Sequence, residues 1–232
     1  MFIECEEFYE TENAFLSKVV SLENINFSNK KLVVKAHEKE IYTLSNSLIE
    51  AVIHRDNSGE YPFSKVDFLS HKLQEIVFPE YVPKIYFGFF NNKSKPSFIL
   101  ERIALDNCHK AYNIKRQRHH IKNKKDYYFD EIFFKIEKEN TIDALAEEHF
   151  TKVNKIQKDC EYFIDEYGIA FDHSHVNIAW KKNGEPISLE VHKCRRDYLF
   201  NYRKCFKYID SMDNSKSREE GLRILKRIKQ LI

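Results

Sequence analysis

Glycine is scarce in this 232-residue chain: there are five, and the first is Gly59. A phosphate-binding loop of the usual kind needs several glycines within a few residues, so none is present. The five cysteines (Cys5, Cys108, Cys160, Cys194 and Cys205) form no Cys-x-x-Cys pair. Their odd number and wide spacing exclude a disulfide framework and predict reduced thiols in a cytosolic compartment. Long apolar runs are missing as well, and nothing approaches the roughly 20 residues of a membrane span. The opening MFIECEEFYE is acidic where a leader would be basic and then apolar. Both absences predict a soluble, cytoplasmic protein. An excess of one charge is also lacking: 38 Lys+Arg stand against 36 Asp+Glu, so net charge names no partner.

What is present is 42% apolar residues, with 19 Phe and 13 Tyr. That is enough to bury one large core or two small lobes flanking a cleft. The β-branched run KKLVVKAHE at 30–38 predicts a strand. Ile41, Leu44, Leu48, Ile49 and Val52 recur at helical spacing and predict a helix over 38–54. After a loop at 56–62, residues 63–78 predict a second amphipathic helix with Ser64 as N-cap and Pro79 at its end. Two strand-like runs flank NNKSKP between 81 and 103 and predict a hairpin. Residues 141–167 carry the longest helical pattern, with Gly168 placed just past its end. Asn183-Gly184 predicts a second hairpin, and helices are expected over 197–212 and 216–232. The order predicts an α+β fold with a β-rich first part, 1–103, and a helical second part, 104–232.

Three side chains in GIAFDHSHVNIAWKKNGEPISLEVHK invite a chemical reading. Asp172 and Asn177 lie on a predicted loop between a helix end and a hairpin, and Glu190 lies on the hairpin's predicted second strand. Phosphoryl transfer needs a carboxylate near the attacking hydroxyl and oxygen ligands for Mg²⁺. The plain alternative is that Asp172 caps a turn and Asn177 bonds backbone.

Asp172-x-x-x-x-Asn177 resembles the second half of the catalytic loop of protein kinases, H-R-D-x-x-x-x-N, and Glu190-Val191-His192 stands where D-F-G follows. VVKA, ending at Lys35-Ala36, resembles the strand carrying the ATP-gripping lysine, and FILERI resembles the strand entering the hinge. Only 42 residues follow Glu190. The chain is therefore most similar to the minimal effector kinases of Gram-negative pathogens, the OspG and NleH type. The resemblance implies a bilobal, kinase-like fold with a small β-rich N-lobe, a reduced helical C-lobe and no activation segment.

It further implies Mg-ATP as cofactor, Asp172 as the catalytic carboxylate, and Asn177 and Glu190 as Mg²⁺ ligands. Lys35 would contact the phosphates, paired with Asp67, or else Glu50, with Glu75 a third candidate. Glu101, Arg102 and Ile103 would form the hinge, where Glu101 and Ile103 meet the nucleotide. The acceptor would be a Ser/Thr hydroxyl of a protein, and the site of action a host cytosol. Ala170, Phe171 and His192 depart from the pattern, so a pseudokinase that binds partners without transfer is the alternative.

The run from His109 to Lys125 holds seven Lys/Arg, three His and no acid. It predicts a solvated basic loop that could dock an activating protein, another acidic partner or a phosphoinositide. Nucleic acid matches it less well, because Tyr112 alone offers a stacking surface. His173, His175, His192 and Cys194 could ligate zinc, although their spacing matches no zinc motif and strand alternation also accounts for it. The basic C-terminal helix is expected to pack on the second lobe.

Overall fold

The computed structural model describes residues 27–35, 39–45, 48–53, 65–90, 96–120, 139–189 and 200–231. Ser64, the loop at 56–62, the turn at 91–95, Glu190, His192, Cys5 and Cys194 lie outside them. The α+β organisation expected from the sequence is observed. Strands β1 (Lys31–Lys35), β2 (Lys39–Thr43) and β3 (Leu48–Ile53) precede helix α1 (Lys65–Val77), and β4 (Ile85–Phe90) and β5 (Pro96–Glu101) follow it. These five strands form one antiparallel sheet in the order β1-β2-β3-β5-β4. Then come α2 (Asn107–His120), α3 (Glu139–Cys160), α4 (Phe163–Tyr167), the hairpin β6 (Ile178–Trp180) and β7 (Pro186–Ser188), α5 (Tyr202–Asp210) and α6 (Ser215–Leu231).

The helix expected over 38–54 is a correction: the segment forms β2 and β3. Tyr42 pairs with Glu50 and Ile41 with Ala51, and Leu44 N and Ser45 N both donate to Leu48 O, closing the hairpin. Ala51 and Ile53 enter the main core, while Leu48, Glu50 and Val52, on the opposite face, are buried too. A strand covered on both faces loses its polar–apolar alternation, and periodicity alone cannot separate it from a buried helix.

The basic run is the next correction. Residues 109–120 are helical, not a loop. Asp106 Oδ1 accepts the His109 amide at 3.3 Å, the N-cap contact that starts α2. Cys108, His109 and Ala111 turn inward. Lys115 lies within 2.9 Å of Glu147 and 3.5 Å of Asp143 on α3, exposed pairs that solvent screens and that add little to stability.

Helix α1 forms where expected, but it has no solvent face over its first turns. Asp67, Ser70, His71, Lys72 and Gln74 are as buried as Val66, Phe68, Leu69 and Leu73. The cause lies at the far end of the chain. Helix α6 packs against α1 as well as α5, and its Ile224, Leu225 and Ile228 join Val66, Leu69 and Leu73 in one core. The C-terminal helix therefore reaches into the first part of the chain, beyond the packing expected from its sequence.

The long helix breaks at Glu161–Tyr162 and resumes as α4, ending at Gly168 with φ 68°. That is the left-handed C-terminal position predicted for it. Gly184, φ 86°, closes the β6–β7 connection, where Lys181 N donates to Glu185 O and Gly184 N to Lys181 O. Among the described residues no helix is long and apolar enough to cross a membrane.

Cys108, Cys160 and Cys205 are buried and form no disulfide. Burial pushes the Cys108 and Cys160 thiols up to about 12, far from thiolate at neutral pH. All three are expected to resist an aromatic disulfide reagent in native buffer and to react fully in denaturant. Rapid native labelling of Cys160, followed by peptide mapping, would contradict this packing.

Candidate active site

The loop between Gly168 and β6 dives, surfaces and dives again. Ile169, Ala170 and Phe171 are buried. Phe171 meets Phe78 edge-on at 5.2 Å, Tyr81 stacked at 5.5 Å and Phe163 edge-on at 5.6 Å. The next six residues, Asp172 to Asn177, are half-buried, and Ile178–Trp180 return to the core. Aromatic anchoring on one side and a buried strand on the other leave the polar residues held at both ends.

Within the loop, the Ser174 amide donates to Asp172 Oδ1 at 2.8 Å. This is an Asx turn, and it fixes the direction of the carboxylate. Asn177 N and Ile178 N both donate to Ser174 O, at 2.9 and 3.1 Å. Ser188 Oγ donates to Asp172 O at 3.4 Å. Leu189 N donates to Asn177 O at 2.6 Å, continuing the ladder in which Ile178 faces Ser188. The structure thus brings Asp172, Asn177 and the backbone immediately preceding Glu190 together. Glu190 itself lies outside the described residues.

Three side chains that sequence reasoning missed hold three carbonyls of this segment. Gln74 Nε2, on α1, donates to Ala170 O at 2.9 Å. From α3, Gln157 Nε2 donates to His173 O at 3.0 Å, and His149 Nε2 is 2.8 Å from His175 O. Trp180 Nε1 lies 3.0 Å from His149 Nδ1. An indole N–H can only donate, so His149 Nδ1 accepts and Nε2 carries the proton. Each such bond contributes about 0.5–1.5 kcal/mol. No local signal marks these residues, because a glutamine on a helix reads as surface until its partner, 96 residues away for Gln74, is known.

The other expected site residues are dispersed. Lys35 ends β1, at the sheet edge, paired through its backbone with Glu40. Glu50 is fully buried on β3, and its Oε2 takes Lys30 Nζ at 2.8 Å, so its ion pair is with Lys30. Asp67 is buried on α1. Glu75 accepts from Lys72 Nζ and from the Ile85 amide, at 3.1 and 3.2 Å, which ties α1 to β4. Glu101 ends β5 opposite Leu48, and Ile103 lies in the linker beyond it. That linker is pinned to the hairpin by Asp106 N to Trp180 O at 2.8 Å and Lys182 N to Ala104 O at 3.1 Å.

The zinc reading finds no support among the described residues, where no three His, Cys, Asp or Glu could hold a metal. His173 and His175 lie on the loop rather than a strand. His175 stacks on Phe150 at 4.4 Å and bonds Asn154 at 2.9 Å, while His173 Nδ1 is 3.3 Å from Phe171 O.

Burial favours the neutral form of three imidazoles in and beneath the loop. His109 is pushed down to about 3 by burial, with the neighbouring His149 adding to it. Burial also lowers His149 and His175. A histidine lowered in the fold protonates first in the unfolded chain. Its contribution to stability is present above about pH 6.5 and is lost as pH falls below it. For His109 we expect the unfolding free energy to drop by about 1.4 kcal/mol per pH unit as pH falls from about 6.5, with His149 and His175 adding in the same direction. For His109 the loss continues toward about 3. Urea titrations at pH 7, 6 and 5 check this. The slope should flatten in His109→Gln, and a flat wild-type profile would contradict the burial.

Comparisons with protein-family models and with curated proteins find no match. Several solved structures are similar at low level, among them two nucleotide complexes. One is the GDP and kanamycin complex of APH(2")-IIia: 7% identity, 90% of this chain and 86% of that chain, TM-score 0.30. The other is the GDP complex of a point mutant of aminoglycoside 2'-phosphotransferase IIIa: 7% identity, 90% and 85%, TM-score 0.28. Likenesses of this size carry no argument about the site.

Proposed function

We propose that this chain is a kinase-like phosphotransferase that moves the γ-phosphoryl group of Mg-ATP to a hydroxyl acceptor, a Ser or Thr of a protein. The observation that carries the reading is the convergence of Asp172, Asn177 and the strand end before Glu190, on a segment anchored from two helices. An antiparallel sheet ordered β1-β2-β3-β5-β4, with a helix between β3 and β4, supports it. That is the small-lobe plan the resemblance implies.

In this reading Asp172 orients the acceptor hydroxyl and takes up its proton. Asn177 and Glu190 offer the oxygen donors that Mg²⁺ prefers, and Asn177 stands opposite Leu189, one residue before Glu190. Bound Mg-ATP supplies the transferable group and neutralises its charge. Lys35 is the proposed phosphate contact.

One observation favours a second reading. Strand β3, LIEAVI, the strand before α1, carries no lysine, although kinases grip the phosphates from that strand. The chain would then be a pseudokinase, presenting the basic face of α2 to an acidic partner.

Incubation with γ-labelled ATP, with and without cell extract, tests both. Transfer that depends on Asp172, together with a midpoint rise of about 5–10 °C in saturating Mg-ATP, is expected for the enzyme. A shift without transfer would leave the pseudokinase. The absence of both shift and transfer would sink the nucleotide site.

A further inference from the structure

Two buried polar side chains of α1 serve the helix's own seat. His71 Nε2 donates to Pro83 O at 2.8 Å, and Lys72 Nζ to Ile85 O at 2.9 Å. Gln74 does something different. Its Nε2 crosses to Ala170 O at 2.9 Å, two residues before Asp172. Its Oε1 is buried with no hydrogen-bond partner among the described residues. An orphaned buried acceptor is a net cost that an apolar side chain of similar volume would remove. For stability alone, Met or Leu would serve better at 74. What the amide adds is a fixed point for the loop backbone. Helix α1 is also seated by α6.

We propose that Gln74 is a positioning residue for the Asp172–Asn177 loop, and that through it the docking of α6 on α1 sets where Asp172 stands. The inference rests on the phosphotransfer reading for its meaning, but not for its test. Gln74→Met keeps the volume and removes both the tether and the orphaned oxygen. Hydrogen exchange, followed residue by residue, is the readout.

The Ser174, Asn177 and Ile178 amides are expected to exchange at least about fivefold faster, with the thermal midpoint unchanged or raised. Gln74→Leu should behave alike. Ile228→Val, which thins the α6 contact, should speed the same amides in the wild-type background and add little in Gln74→Met, since the link is already cut. Where transfer is measurable, kcat should fall about tenfold with KM for ATP held within about twofold. Loop amides that exchange at the wild-type rate in both Gln74 variants would overturn the proposal. So would a faster rate spread evenly over the chain, which would mark Gln74 as merely structural. A wild-type protein that transfers no phosphate would defeat the phosphotransfer reading and leave the exchange result standing.

Discussion

Gly168→Ala is expected to be the most damaging single-methyl substitution in the chain. Gly168 has φ +68°, and an added Cβ would fall 2.0 Å from Cys205 N, 2.6 Å from the Lys204 carbonyl carbon and 2.7 Å from Asn201 O. All three are backbone atoms of the first turn of α5, so no rotamer change relieves the contact. Asn201 N donates to Gly168 O at 2.7 Å, and the Asn201 side chain caps α5 through the Lys204 amide. Moving α5 away also withdraws Cys205 and Ile209 from the core and parts Tyr208 from Tyr167. The left-handed backbone adds about 1–2 kcal/mol for a residue with a Cβ. A total loss of about 4 kcal/mol or more is expected, a midpoint drop of about 10 °C or worse. Gly184→Ala is the control. It shares the positive φ, but its Cβ would meet nothing within 4 Å, so about 1–2 kcal/mol is the whole cost. Thermal unfolding of both variants decides it, and equal midpoints would mean that α5 does not seat on Gly168.

Asp172→Asn is expected to separate the turn-capping role of this residue from its chemistry. Asn keeps an Oδ1 that can accept the Ser174 amide, now bonded at 2.8 Å, so the loop should persist and the midpoint move by no more than about 2 °C. It loses the negative charge and the ability to take a proton. Label transfer should fall by about 10²–10⁴-fold, the range for a general base. Asp172→Ala should lose the same activity and the Asx turn with it. Transfer by Asp172→Asn at the wild-type rate would show that Asp172 only shapes the loop.

The site was legible in sequence to the extent that it is local. An acid, an amide and a strand end separated by a tight turn are brought together by short-range geometry: the Asx turn at Asp172, the glycine turn at Asn183–Gly184 and the ladder that sets Leu189 beside Asn177. Its supports were not legible. Gln74, Gln157 and His149 act through carbonyl oxygens, which accept from any donor and leave no trace in residue type. The acidic partner of Lys35 was not legible either: the sequence favours Asp67 with Glu50 second, and Glu50 takes Lys30, 20 residues away.

The chain's own order determined the helices of α1, α3 and α6, the left-handed glycine that ends α4, and the second hairpin, since each depends on contacts within a few residues. Only the tertiary structure decided that 39–53 is a hairpin, that the basic run is helical through His120, and that α6 closes over α1. Those outcomes turn on what covers a face. A strand buried on both sides carries no alternation of polar and apolar residues, so its surroundings, not its spacing, set its form.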